Sequence, residues 1–325
     1  MKFLFVGDVH VADTPPSKRD HNYREDILRK LEEIVDIATA AKVDAVLFAG
    51  DIFHHKQPRK VSHRLVLDLL RIFGAFPVQV YILVGNHDIT EGRLESLEKQ
   101  PLGVLGKSPN VTLLTWDSTE VRTESEHVTL HPVPGVPKVT LEDFSSQHSP
   151  EATSWNIGIV HQSIFEDVSK LPFVLQDKPF IFKAEEVAKA MPACGLILYG
   201  HEHSRHGIYK SGGTMFVNLG SICRGTINDS DLNKEPSVFL FELTDKIAGK
   251  EIKLKNVRPA DKCFLLEEHF EGVSHKQDIE DAINKLKDTR LEKFSIEAVI
   301  GDVEVRDDLD EPVRDAALQL LETVR

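Results

Sequence analysis

The chain is poor in sulfur and in tryptophan, with 3 Cys, 3 Met and 2 Trp among its 325 residues. Cys194, Cys223 and Cys263 form no CxxC and no close pair. That excludes a disulfide framework and a thiolate zinc finger, and it suits a reducing compartment. Each thiol is expected as a small buried apolar residue rather than a nucleophile. No apolar run approaches the ~20 residues that a membrane helix needs. Residues 1–6 are too short for a signal-peptide core. A cytoplasmic protein without membrane contact is the expectation. An excess of positive charge is missing too: 39 Lys and Arg stand against 52 Asp and Glu, a formal net charge of −13. Phosphate affinity comes largely from Lys and Arg, so composition alone argues against a nucleic-acid partner. What the chain does have is histidine, 15 in all, several of them directly after strand-like runs.

Residues 2–6 read as an apolar strand ending in Gly7-Asp8-Val9-His10. Over 23–41, Ile27, Leu28, Leu31, Ile34, Val35 and Ala38 recur on one face at helical spacing. Residues 43–49 form a second strand, ending at Gly50-Asp51. Pro58 is placed to open a helix whose stripe is Val61, Leu65, Leu69, Ile72 and Phe73, with Gly74 just past its end. Residues 78–84 form a third strand, ending at Gly85-Asn86-His87-Asp88. This β-α-β-α-β order favours a parallel sheet with right-handed crossovers. Strands are then expected at 111–116, 127–133, 155–160, 195–199, 207–209, 214–218, 237–243 and 251–257, with a helix at 183–190. A second sheet packed on the first is the natural reading. From about Arg258, strands at 263–269 and 294–305 and helices at 276–287 and 312–324 suggest a small separate α/β unit. The expected domains are therefore 1–257 and 258–325.

Five apolar strands end in side chains that can bind metal: Asp8 and His10, Asp51, Asn86 and His87, His161, and His201 and His203. In open α/β sheets, ligands bind beyond the carboxyl ends of the strands, so these residues are expected to meet on one edge. Any one of them could be a polar loop. All of them in this order make a strong signal. Asp and Asn oxygens with imidazole nitrogens suit Mn²⁺, Fe or Zn²⁺. Even seven of these eight exceed the needs of one ion with an open position. They suit two ions about 3.5–4 Å apart with a shared carboxylate, for which Asp51 is the best placed.

This set resembles the calcineurin-like metallophosphoesterase superfamily over roughly residues 1–245. The resemblance implies a two-sheet β-sandwich flanked by helices (αββα). It implies one metal held by Asp8, His10, Asp51 and His203, and a second held by Asp51, Asn86, His161 and His201, with Mn²⁺ the leading choice. His87 would then face the scissile phosphate without binding metal. Gly50-Asp51-Ile52-Phe53-His54, Gly85-Asn86-His87-Asp88 and Gly200-His201-Glu202-His203 look like the SbcD/Mre-eleven nuclease family of double-strand-break repair. That narrower likeness implies DNA phosphodiester hydrolysis by exonuclease or endonuclease action, and a place for His54 over the phosphate. It further implies a C-terminal DNA-capping domain, a homodimer and an SbcC-type coiled-coil ATPase partner. Residues 312–324 carry an amphipathic face that could grip such a partner or pack on the cap. Phe53-His54-His55 and Asp88 stand where phosphoprotein phosphatases carry other residues. Two alternatives remain open: hydrolysis of a small phosphodiester, and a DNA-end or ATPase-binding scaffold without chemistry.

Asp88 is placed either to orient His87 or to cap a turn. His55 and His63 read as surface residues. No acid lies between Asp51 and Asp68, whereas Lys56, Arg59, Lys60 and Arg64 do. Lys56, Arg59 and Lys60 are candidate phosphate contacts beside the metals, and Arg205 is a fourth.

Overall fold

The computed structural model describes residues 1–16, 19–123, 127–145, 155–171, 178–226 and 229–264. The chain divides after Leu266 into two units, and every described residue belongs to the first. The elements expected at 276–287, 294–305 and 312–324, and most of 263–269, lie outside the described residues. The separate capping domain therefore stays a proposal.

The first half contains β1 (Lys2–Val6), α1 (Tyr23–Ala41), β2 (Ala45–Phe48), α2 (His63–Gly74), β3 (Val80–Leu83), α3 (Pro101–Leu105), β4 (Val111–Leu114) and β5 (Thr119–Arg122). Next come β6 (His127–Val133), α4 (Leu141–Ser145), β7 (Trp155–Val160), β8 (Ser163–Phe165), β9 (Ile181–Lys183), α5 (Ala184–Ala190) and β10 (Leu196–Tyr199). The remainder is β11 (Gly207–Ser211), β12 (Thr214–Asn218), α6 (Asp229–Leu232), β13 (Ser237–Leu243) and β14 (Ile247–Lys253).

Two six-stranded sheets result, ordered β14-β13-β1-β2-β3-β4 and β11-β12-β10-β7-β6-β5. Strands β1 to β4 are mutually parallel. In the second sheet β6, β7, β10 and β12 are parallel. Both sheets are covered on both faces, so their central strands read as unbroken apolar runs. Phe3, Phe5, Leu47 and Leu83 of one sheet share a buried cluster with Leu130, Ile159, Leu198 and Val217 of the other. The opposite face of the first sheet packs on α1, α2 and α3, and that of the second packs on α4 and α5. The αββα sandwich is thus established. Among the described residues no helix is long and apolar enough to cross a membrane.

Helix α1 spans the expected residues and buries Tyr23, Ile27, Leu31, Ile34 and Ala38. The second helix differs at both ends. Pro58–Lys60 forms only a short 3₁₀ turn. Helix α2 begins after Ser62, whose side chain accepts a hydrogen bond from the Leu65 amide. An N-cap side chain satisfies an amide that has no intrahelical partner, so Ser62 outranks the proline as the start signal. Gly74 is the last helical residue rather than the one beyond it. The last strand also shifts: β14 pairs directly with β13 through a tight turn and ends at Lys253, not 257.

Candidate metal centre

Parallel strands put their carboxyl ends on one edge, and both sheets present that edge together. Asp8 follows β1, Asp51 follows β2, Asn86 follows β3, His161 follows β7, and His201 and His203 follow β10. The chain must turn sharply at each end. His10, Asp51 and His201 adopt left-handed backbone, with φ of 52°, 47° and 76°. For residues other than glycine such backbone costs about 1–3 kcal/mol each and collects at functional sites.

Asp51 lies at the centre. Its Oδ2 is 3.4 Å from His10 Nε2 and 3.3 Å from His161 Nε2. Its Oδ1 accepts a hydrogen bond of 2.7 Å from the His87 amide. On one side, His203 Nε2 lies 3.7 Å from Asp8 Oδ2, and ligand atoms of Asp8, His10, Asp51 and His203 all fall within 4.8 Å of one another. On the other side, Asn86 Oδ1 is 3.1 Å from both His161 Nε2 and His201 Nδ1. The two sets meet at Asp51. Donor atoms that each lie about 2.0–2.2 Å from a common ion are spaced roughly 3–3.5 Å from one another.

The chemistry of the set also fits cations. Asp8, His10, Asp51 and His161 are each 1% exposed. Neither ring nitrogen of His10 has a hydrogen-bond partner, although both are buried. A buried polar atom without a partner is costly, and a bound ion removes that cost. Burial pushes the Asp8 carboxyl up to about 7, against the pull of His161. His201 and His203 reach solvent at the rim of the centre, yet desolvation by the protein packed around their rings lowers both imidazoles to about 4, leaving them neutral lone-pair donors at pH 7. Burial opposes a charge on His161, but the Asp51 carboxylate wins and raises it to about 10. A cation between them would replace that proton. His161 Nδ1–H donates to the Ala49 carbonyl at 2.8 Å, which aims Nε2 at Asp51 and Asn86. A carbonyl partner of this kind fixes the tautomer of metal-binding histidines.

His87 and His54 sit beside this core. His87 Nδ1–H donates to the His54 carbonyl at 2.7 Å. Its ring stands edge-on to His10 at 4.8 Å and stacks on His54 at 5.7 Å. Ring nitrogens of His10, His54 and His87 also lie within 4.8 Å of one another. His55 departs from the surface expectation: it is half-buried, its ring lies 4.9 Å from that of His54, and its buried Nε2 has no hydrogen-bond partner. Asp88 is buried and accepts from the amides of Ile52, Phe53 and Gly85 at 3.1, 3.3 and 3.0 Å. Its carboxylate thus braces the two ligand loops against each other, the turn-capping choice, rather than holding the His87 ring.

Lys56, Arg59 and Lys60 are exposed on the turn after Asp51 and make no ion pair among the described residues. Arg205 behaves differently. Its guanidinium pairs with Glu251 at 2.5 Å, so a phosphate would have to displace that carboxylate.

Some of what shapes the site is not chemistry-bearing. A Cβ on Gly85 would lie 2.1 Å from Asp51 Oδ1, and one on Gly200 would lie 2.3 Å from Asp8 Oδ1. Gly135, in the loop after β6, would press on the Asn86 amide at 2.4 Å. Asn218 holds the His203 loop through bonds from Nδ2 to the Tyr199 and Glu202 carbonyls, at 3.1 and 3.2 Å. Gly85 and Gly200 announce themselves by directly preceding candidate ligands; Gly135 and Asn218 carry no comparable signal. Gly85→Ala is expected to push Asp51 aside. A Mn²⁺ titration should then show loss of binding while the far-UV circular dichroism stays native. Unchanged binding would mean that the Asp51 loop yields freely.

The fold and the cluster define a calcineurin-like phosphoesterase. The chain belongs to that family, whose model matches residues 1–205. Among curated proteins it is similar to the DNA double-strand break repair protein Mre11 of Methanosarcina mazei, 24% identical over 79% of this chain and 39% of that protein. The Mre11 protein of Sulfolobus acidocaldarius is 24% identical over 86% of this chain and 70% of its own length. The chain spans about half the length of the Methanosarcina relatives it matches. Among solved structures, a putative 5′-nucleotidase from Staphylococcus aureus overlaps with a TM-score of 0.49 at 14% identity, covering 79% of this chain and 54% of that one.

Proposed function

We propose that this chain is a two-metal DNA phosphodiesterase that processes DNA ends in repair or recombination. The observation that carries the reading is Asp51 Oδ2, placed within 3.4 Å of His10 Nε2 and 3.3 Å of His161 Nε2, one from each ligand set. Similarity to proteins named for double-strand-break repair, over most of the described unit, supports DNA as the substrate. In this reading Asp8, His10 and His203 would hold one ion, Asn86, His161 and His201 would hold the other, and Asp51 would serve both. Two divalent ions, Mn²⁺ first with Fe and Zn²⁺ as alternatives, would when bound supply Lewis-acid activation of water and charge neutralisation at the phosphoryl oxygens.

The chain's own residues do the rest. His87 protonates the leaving oxygen through Nε2, because its Nδ1–H is committed to the His54 carbonyl. The His54 side chain flanks His87 and orients it or the phosphate. Asp88 keeps the Asp51 and His87 loops in register. A cytoplasmic setting, a homodimer and an SbcC-type coiled-coil ATPase partner belong to the same reading.

The deciding assay compares end-labelled duplex, hairpin and single-stranded DNA with a small chromogenic diester, each with Mn²⁺ and with excess chelator. Chelator-sensitive DNA cleavage is expected. Activity on the small diester alone would turn the reading toward a nucleotide or other small phosphodiester. Binding of DNA without any hydrolysis would make the chain a scaffold.

Lys56, Arg59 and Lys60 are the proposed backbone contacts. Replacing all three with Ala is expected to flatten the slope of log affinity against log salt by about 0.7–0.9 per lost contact. An unchanged slope would return them to an ordinary solvated face.

A further inference from the structure

Beneath the Asp8 and His203 side of the centre lies a loop that begins at Gly220, just beyond the end of β12. The Ile222 amide donates to the Asp8 carbonyl at 2.9 Å, and the Ser221 amide donates to the His203 carbonyl at 3.2 Å. The fit is close, since a Cβ on Gly7 would lie 2.1 Å from the Gly220 carbonyl oxygen. Gly220 itself has φ of 73°. The loop therefore fixes the backbone of two ligands that come from different sheets.

Two ammonium groups hold the loop from below. Lys30, on the buried face of α1 and 3% exposed, donates from Nζ to the Ile222 carbonyl at 2.8 Å. Lys234, 7% exposed, donates to Ser221 Oγ at 2.7 Å and to the Cys223 carbonyl at 3.0 Å. It also pairs with Asp231 at 2.5 Å. Asp231 in turn accepts from the Gly225 and Thr226 amides at 2.7 and 2.8 Å, closing the loop's far end. Lysines are almost never fully buried unless paired. Among the described residues Lys30 makes no ion pair, and burial lowers its ammonium to about 8. An apolar side chain of similar length would fill the same space without the desolvation cost, which is several kcal/mol for a buried ion. What it could not do is grip a carbonyl.

We infer that Lys30 and Lys234 are positioning residues, a pair of buried cations that clamp loop 220–224 so that its amides set Asp8 and His203 at their places in the centre. This rests on reading the cluster as a two-metal site. Neither lysine hydrogen-bonds a ligand side chain; Lys30 acts by gripping the loop, and Lys234 grips the loop and adds a positive charge felt by Asp8 and His203.

The test is a Mn²⁺ titration of the full chain, by calorimetry with electron paramagnetic resonance, for wild type, Lys30→Met and Lys234→Met. Wild type is expected to take up two ions. Each variant should weaken one of the two by about 10–100-fold, the range seen when the surroundings of metal ligands are altered. The other ion, held by Asn86, His161 and His201, should stay near its wild-type affinity. A merely structural role would disturb both ions alike or neither. Should Lys234→Met fail to fold because Asp231 loses its ion-pair cation, Ser221→Ala removes the Oγ that Lys234 grips and keeps the ion pair. Wild-type affinities at both sites in Lys30→Met and Ser221→Ala would overturn the clamp. Failure of wild type to bind any ion would instead overturn the two-metal reading beneath it.

Discussion

Asp51→Asn is expected to lower DNA cleavage by about 10³-fold, the upper end of the range for removing a preorganised electrostatic group. Asparagine keeps the shape but withdraws the negative charge and one anionic oxygen. Every other proposed ligand serves one set, whereas Asp51 stands between His10 and His161 and serves both. The change also strips His161 of the carboxylate that balances it. Metal content should fall from two ions per chain to one or none. A variant that keeps two ions and near-normal turnover would remove Asp51 from the shared position.

His87→Ala should act differently. Turnover on DNA is expected to fall by about 10²–10⁴-fold, the usual contribution of a positioned acid or base. Metal content should stay near two ions. The defect should shrink on a chromogenic diester whose leaving group departs without a proton. That contrast separates an acid from a ligand, which the nearness of His10, His54 and His87 nitrogens leaves open on distance alone. Loss of an ion in His87→Ala would make it a ligand. An equal defect on both substrates would leave His87 as a contact to the phosphate.

Why was the edge of the sandwich readable from letters alone? Each ligand-bearing turn follows a short apolar run, and parallel strands force such turns to one side. The αββα layering follows from the same runs, because strands covered on both faces show no alternation. The start of α2 departs from the pattern because Pro58 is a conspicuous signal and the Ser62 cap is a quiet one. The supports of the centre were hidden for a different reason. Gly135 and Asn218 act through tertiary contact, across gaps in sequence that no local pattern spans. Lys30 would be assigned to the solvent face of any helix, yet it lies on the buried face of α1 with Asp26. The left-handed backbone at His10, Asp51 and His201 is likewise imposed by the assembled loops.

The net charge of −13 gains a location as well. Residues 251–325 carry 12 Lys and Arg against 19 Asp and Glu, so over half the imbalance lies in that stretch. The remaining residues hold the Asp8, Asp51 and Asp88 carboxylates, whose burial makes a cation the natural counterpart. Divalent ions at the centre would offset most of what is left, with Lys56, Arg59 and Lys60 standing free beside it. The acidic total therefore does not exclude the proposed DNA substrate.

Crystals of the full chain grown with Mn²⁺ and measured for anomalous scattering address the two-metal centre most directly. Two peaks are expected at the carboxyl edge of the sheets, both in contact with Asp51. One should also contact Asp8, His10 and His203, and the other Asn86, His161 and His201. A single peak, a peak held by His54 and His87 in place of these residues, or no peak at saturating Mn²⁺ would contradict that assignment.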